Sequence, residues 1–274
     1  MTPILIIGLL TMMLLLWPLL RRRWRERQRA ALRRLPLPAH WVALLRTYVP
    51  LYNRLPPALR EQVHGHIRVL LAEKDFHGAG GLVVTDAMRL VIAAQAALLL
   101  LNRSGDAFPE LYSIVLHPAA FVVNRESWDA AGLHHRERQV LSGESWSTGQ
   151  LVLSWDDSLA GGMTCGDGYN VVLHEFAHQL DLGSGDMDGT PRLDSRAERQ
   201  AWAAAFAPAY TEHCARVEAG TDTWLDPYAA TSPAEFFAVL TEAFFELPEE
   251  LAAEYPAVYA CLRDYYRVDP GKWA

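Results

Sequence analysis

Val171-Val172-Leu173-His174-Glu175-Phe176-Ala177-His178-Gln179-Leu180-Asp181 is the stretch on which the reading of this chain turns. It holds the pattern His-Glu-x-x-His. On a helix, positions i and i+4 lie on one face, one turn apart. His174 and His178 can therefore aim two imidazoles at one ion. Glu175 stands beside the first of them, where a carboxylate can take a proton from water activated by a metal. The residues around them, Val171, Val172, Leu173, Phe176, Ala177 and Leu180, suit a helix buried on most sides. Polar side chains inside such a helix need partners, because unpaired burial is costly. A metal ion is one partner that serves two histidines and a glutamate together.

The 274 residues, half of them hydrophobic, are enough for one substantial domain with appendages. Net charge is −7, unevenly spread, since residues 21–34 alone carry eight arginines. The remainder is strongly acidic, which argues against a nucleic-acid-binding surface. Cys165, Cys214 and Cys261 are far apart and odd in number. They do not form a disulfide framework and fit a reducing compartment. The absence of any Cys-x-x-Cys pair excludes a structural zinc site of that type.

Residues 3–20 carry no charge and are mostly Leu, Ile and Met. As a helix they span roughly 27 Å, close to the hydrocarbon thickness of a bilayer. Arg21-Arg22-Arg23-Trp24-Arg25 follows, and arginines flank a membrane helix on its cytoplasmic side. No basic residue precedes the apolar run, and no cleavage site follows it. The expectation is a transmembrane anchor at 1–20, a basic juxtamembrane linker at 21–38 and a catalytic domain at 39–274. The corresponding address is the inner membrane, single-pass, with the body in the cytoplasm.

Further along, 39–74 reads as helices punctuated by Pro50, Pro56 and Pro57. Asp75 to Gly81 reads as a glycine-rich turn, and 86–102 as a central core helix. Ser113 to Val123 reads as strand with a break at Pro118. Residues 125–145 read as polar loop, with His134 and His135 exposed. Gln150 to Trp155 reads as a strand whose exposed edge can pair with an extended substrate. Gly161, Gly162, Gly166 and Gly168 read as a loop into the metal helix. Gly183 to Gly189 reads as a polar turn, and a helix follows at about 195–217.

A catalytic zinc site needs a third protein ligand and an open position. Downstream candidates are Asp194, Glu198, His213, Glu235, Glu242 and Glu246. Three of these acids lie in one apolar helix, Pro233-Ala234-Glu235-Phe236-Phe237-Ala238-Val239-Leu240-Thr241-Glu242-Ala243-Phe244-Phe245-Glu246. Their spacing of i, i+7 and i+11 puts them on one face. Glu235 also completes a capping box with Ser232, which alone explains its presence. Spacing leaves Glu235 and Glu242 open as the third ligand. Asp181 lies on the face of His178, to hold an imidazole N–H or merely to mark the helix end.

Several pieces together resemble the Mlc titration factor A (MtfA) family of zinc metallopeptidases. They are Gly80-Gly81-Leu82 with Thr85-Asp86, Gly143-Glu144-Ser145-Trp146, Asp167 through Asp181, Tyr228-Ala229-Ala230-Thr231 with Pro233 through Val239, and Tyr266-Arg267 with Asp269-Pro270. The resemblance covers about 76–270 and leaves out the apolar N-terminal segment. It implies an α+β, zincin-like (gluzincin) domain. It implies Zn²⁺ held by His174, His178 and Glu235, with Glu175 as base and Tyr228 stabilising the transition state. It also implies hydrolysis of short peptides, aminopeptidase-like in character, and a transcriptional regulator of the Mlc type as partner beside the peptide substrate. The rival expectation is a membrane-tethered module that sequesters such a regulator.

Overall fold

The computed structural model describes residues 3–103, 108–128, 134–141, 143–146 and 149–273, with backbone alone at 3–11, 122–128, 134–141 and 144–146. The N-terminal half is helical: α1 (Pro3–Arg33), α2 (Ala39–Tyr48), α3 (Pro50–Arg54) and α4 (Pro57–Glu73) precede the short strand β1 (Asp75–Gly78). Then come α5 (Asp86–Leu98) and strands β2 (Ser113–His117), β3 (Phe121–Trp128), β4 (His134–Leu141), β5 (Gly143–Trp146) and β6 (Gln150–Ser154). The rest is helical again: α6 (Trp155–Met163), α7 (Val171–Leu182), α8 (Arg196–Glu218), α9 (Pro233–Glu246), α10 (Pro248–Glu254) and α11 (Pro256–Tyr266). Proline sits in the first turn of α3, α4, α9, α10 and α11, where its missing N–H costs nothing.

The result is a mixed fold of many helices around a small sheet. Strand order is β1-β2-β6-β5, with β1, β2 and β6 parallel and β5 antiparallel to β6. The apolar helix α5 is buried from Leu90 through Leu98, as a central core helix should be. It contacts α2, α4, α6 and α7. Thr85 caps it by accepting the Met88 N–H. Cys165, Cys214 and Cys261 are unpaired thiols.

Several expectations need correction. Among the described residues no helix is long and apolar enough to cross a membrane. The expected span and the single-pass inner-membrane arrangement are therefore not supported. The apolar run and the arginine cluster form one continuous helix, α1. Farther along, Arg29 is buried and donates to Glu73 at 2.6 and 2.8 Å, tying α1 to α4.

The sheet also differs. Residues 75–78 are strand β1 rather than turn, because their backbone finds β2, a partner no local periodicity reveals. Much of the polar stretch 125–145 is a β-hairpin, β3 pairing with β4 from Phe121–Leu141 to Trp128–His134. The side chains of His134 and His135 lie outside the described residues. Strand β6 is internal, between β2 and β5, so it has no exposed edge. The outer strand on that side is β5. Gly161 and Gly162 are not loop but part of α6. A Cβ at Gly161 would stand 3.1 Å from Asn170 Cα, and one at Gly162 would stand 2.8 Å from Gln95 Nε2. These glycines serve close helix packing, not a turn.

Candidate metal centre

Helix α7 begins at Asn170, whose Oδ1 accepts the Leu173 N–H at 3.0 Å. It packs against α9, β5, α5 and α6. That environment buries nearly every residue of α7, which is why an almost wholly apolar sequence can carry His174, Glu175 and His178 inward. Helix α9 is buried at every residue from Phe236 to Glu246. Ser232 caps it by accepting the Glu235 N–H at 3.2 Å.

The two helices bring His174, His178 and Glu235 together. Glu235 Oε2 lies 2.9 Å from His174 Nε2 and 3.3 Å from His178 Nε2. The two Nε2 atoms are 3.2 Å apart. Donor atoms around a tetrahedral zinc with bonds of about 2.0–2.1 Å stand roughly 3.3 Å from one another. The three separations come close to that edge, and this group can hold a metal ion.

Glu235 and Glu242, which spacing left open, take different places. Glu242 Oε1 lies 2.8 Å from His174 Nδ1, on the far side of the ring from Glu235. Its Oε2 accepts the Asn170 N–H. Donation of Nδ1–H to Glu242 is the tautomer that would leave the His174 Nε2 lone pair for a metal ion shared with Glu235 and His178. Burial opposes charge on His174, but Glu242 and Glu235 outweigh it and raise the imidazole pKa. Burial also opposes charge on Glu235, and the two imidazoles hold its carboxyl well below the usual range.

Glu175 is buried, and its Oε2 has no hydrogen-bond partner among the described residues. Burial raises its pKa, with the neighbouring imidazoles pulling the other way. A raised carboxyl accepts a proton more readily. Strand β5 runs over it: a Cβ built on Gly143 would lie 2.5 Å from Glu175 Cγ and 2.6 Å from Oε1. Tyr228 sits in a 3₁₀ turn, Pro227–Ala230, fixed by Asp226 accepting the Tyr228 N–H at 2.8 Å. Its ring is half exposed and centred 6.1 Å from that of His174.

The other candidates lie elsewhere. Glu198 caps α8, and Asp194 stands 3.8 Å from Arg267. His213 is buried on α8 with its ring 5.8 Å from Phe236. Glu246 accepts the Gly166 N–H at 2.7 Å, and burial pushes its carboxyl up to about 7. Asp181 does not hold an imidazole; its Oδ2 accepts the Gly189 N–H at 2.7 Å. Sequence reasoning missed Gly143 and the double use of Asn170. In the sequence, Gly143-Glu144-Ser145-Trp146 stands out only through the family resemblance.

Residues 21–267 match the sequence pattern of the glucose-regulated metallo-peptidase M90 family. The chain is 42 % identical over 248 residues to an uncharacterized protein of Synechocystis sp., covering 90 % of this chain and 89 % of the relative. It is 32 % identical over 234 residues to Mlc titration factor A of Pectobacterium atrosepticum, covering 84 % and 86 %. Mlc titration factor A of Yersinia pestis is 32 % identical over 225 residues, covering 81 % and 82 %. On the family pattern and on these relatives, the chain belongs to the glucose-regulated metallo-peptidase M90 family and is a metallopeptidase.

Proposed function

We propose that this chain is a zinc-dependent peptidase of zincin-like build, with His174, His178 and Glu235 as ligands, Glu175 as general base and Tyr228 as an oxyanion donor. The observation that carries the proposal is the spacing of the three donor atoms, 2.9, 3.2 and 3.3 Å, close to a tetrahedral edge. A zinc ion bound there would polarise a peptide carbonyl and acidify water.

The protein's own groups do the rest. Glu242 holds the His174 tautomer from Nδ1. Glu175, in its buried seat, takes the proton from the attacking water and returns it to the leaving amine. The Tyr228 hydroxyl donates to the oxygen on which charge develops. Strand β5 is the outer strand of its sheet and passes against Glu175 at Gly143. An extended substrate added to its free edge would bring a scissile bond beside the base. The family resemblance extends the proposal to short peptides with a free amino terminus.

The test is hydrolysis of an aminoacyl-anilide panel by the full-length protein, with zinc content measured alongside. Glu175→Gln should keep zinc and lose about 10²–10⁴-fold in turnover. Turnover near the parent's rate removes Glu175 as base, and turnover that survives exhaustive chelation removes the metal from the reaction. The name of the 32 % identical relatives supports a second role, binding of a transcriptional regulator of the Mlc type. Co-elution of a purified Mlc-type repressor with the Glu175→Gln protein would separate binding from hydrolysis.

A further inference from the structure

Asp181 is fully buried in the last turn of α7. An acid there is doubly unfavourable, since it is desolvated and faces the negative end of the helix dipole. What it does is reach across the following turn. Its Oδ2 accepts the N–H of Gly189 at 2.7 Å. The carbonyl of the same residue accepts from Trp202 Nε1, on α8, at 3.1 Å. Gly189 is thus gripped on its N–H by α7 and on its C=O by α8, although residues 183–188 before it are all exposed.

Gly189 is glycine for two reasons. Its φ of +81° lies in the left-handed region. A Cβ there would also collide with the carbonyl oxygen of Pro233 and stand 3.3 Å from Ala234 N. Pro233 is the first residue of α9, and Glu235 follows two residues later. The Gly189 backbone is therefore a spacer wedged between the end of the helix carrying His174 and His178 and the start of the helix carrying Glu235.

We infer that Asp181, Gly189 and Trp202 form a clasp that sets the position of Glu235 against the two histidines. They are positioning residues for the third ligand. This inference rests on the proposed ligand set, and the test distinguishes failure of either. Zinc affinity of the full-length protein is measured by chelator competition, with unfolding of the metal-free form followed in parallel. Asp181→Ala, Gly189→Ala and Trp202→Phe are each made in the parent and in a Glu235→Ala background.

In the parent, Asp181→Ala and Gly189→Ala should weaken zinc by about 10–100-fold. Trp202→Phe keeps an aromatic ring beside Phe206 and loses the indole N–H with part of the ring's volume, and it should weaken zinc less. Asp181→Asn, whose amide oxygen accepts the same N–H, should retain most of the affinity. In the Glu235→Ala background all these changes should leave zinc affinity within about twofold, because the ligand they position is gone. Equal losses in both backgrounds, or unchanged affinity in Asp181→Ala, overturn the clasp. If Asp181→Ala does not fold, Trp202→Phe carries the same comparison. Unchanged affinity in Glu235→Ala itself overturns the ligand assignment, and the clasp with it.

Discussion

Helices α8 and α9 begin with the same local signature, a serine followed three residues later by glutamate. At α8, Ser195 Oγ accepts the Glu198 N–H at 3.1 Å, and Glu198 Oε2 accepts the Ser195 N–H at 3.2 Å and the Asp194 N–H at 2.8 Å. Both halves of a capping box are formed. At α9 only the serine half is formed, and the Glu235 carboxylate turns to His174 and His178. The difference is in what surrounds each acid. Glu198 is exposed, so the nearest unpaired N–H groups are its best partners. Glu235 is mostly buried beside two imidazoles, whose pull exceeds that of one backbone N–H. One sequence motif thus has two outcomes, and the surrounding fold chooses between them.

The comparison breaks if the two glutamates behave alike. Glu235→Gln replaces an anionic donor atom with a neutral amide. It should weaken zinc by more than the roughly 10–100-fold that loss of an outer partner costs. Glu198→Gln should leave zinc untouched, as read by metal content after dialysis. Glu242→Gln should fall between them, about 10–100-fold weaker, because it loosens His174 without removing a ligand. Should Glu242→Gln release zinc while Glu235→Gln keeps it, the two acids have exchanged roles.

Glu246, farther along α9, sharpens the contrast between buried and solvated acids. Its folded pKa, raised to about 7 by burial, exceeds that of an unfolded glutamate. The folded state then holds a proton that the unfolded chain has already lost between pH ~4.5 and ~7, so stability falls as pH rises through that window. Glu246→Gln should flatten the fall by about 1–3 kcal/mol, read from thermal unfolding at a series of pH values. The smallest effect belongs to the shared half of the motif. Ser195→Ala and Ser232→Ala should each cost about 1 kcal/mol of stability. Neither should alter zinc stoichiometry, so loss of zinc in Ser232→Ala would mean that the cap and the metal centre are one unit.

Much of the centre was legible before any fold. A period of 3.6 residues fixes that His174 and His178 share a face, and the apolar residues between them state that the face is buried. The core helix α5 is equally plain, because eleven apolar residues and one glutamine, from Leu90 to Leu101, leave no solvated side. Short strands were not. In β1, Asp-Phe-His-Gly has no pattern of its own and is a strand only because β2 lies beside it. Gln150 to Trp155 reads as strand, and Gln150–Ser154 is one, yet its place in the sheet is not local information. Being internal, it leaves β5 as the outer strand on that side among the described residues. The apolar N-terminal run showed the opposite failure, since composition suggested a span where the structure has one helix continuing through arginines to a buried ion pair with Glu73.

What the sequence determined by itself is therefore what depends on neighbours three or four residues away: the helix, its buried face, its caps and the pair of histidines. What only the tertiary structure decided depends on contacts between distant segments. Glu235, not Glu242, faces both Nε2 atoms, Gly143 lies against Glu175, and Gly189 wedges against Pro233. Backbone periodicity carries no information about such distances. They are set by how closely two helices and a strand can approach, and a missing Cβ is the mark such an approach leaves in the sequence.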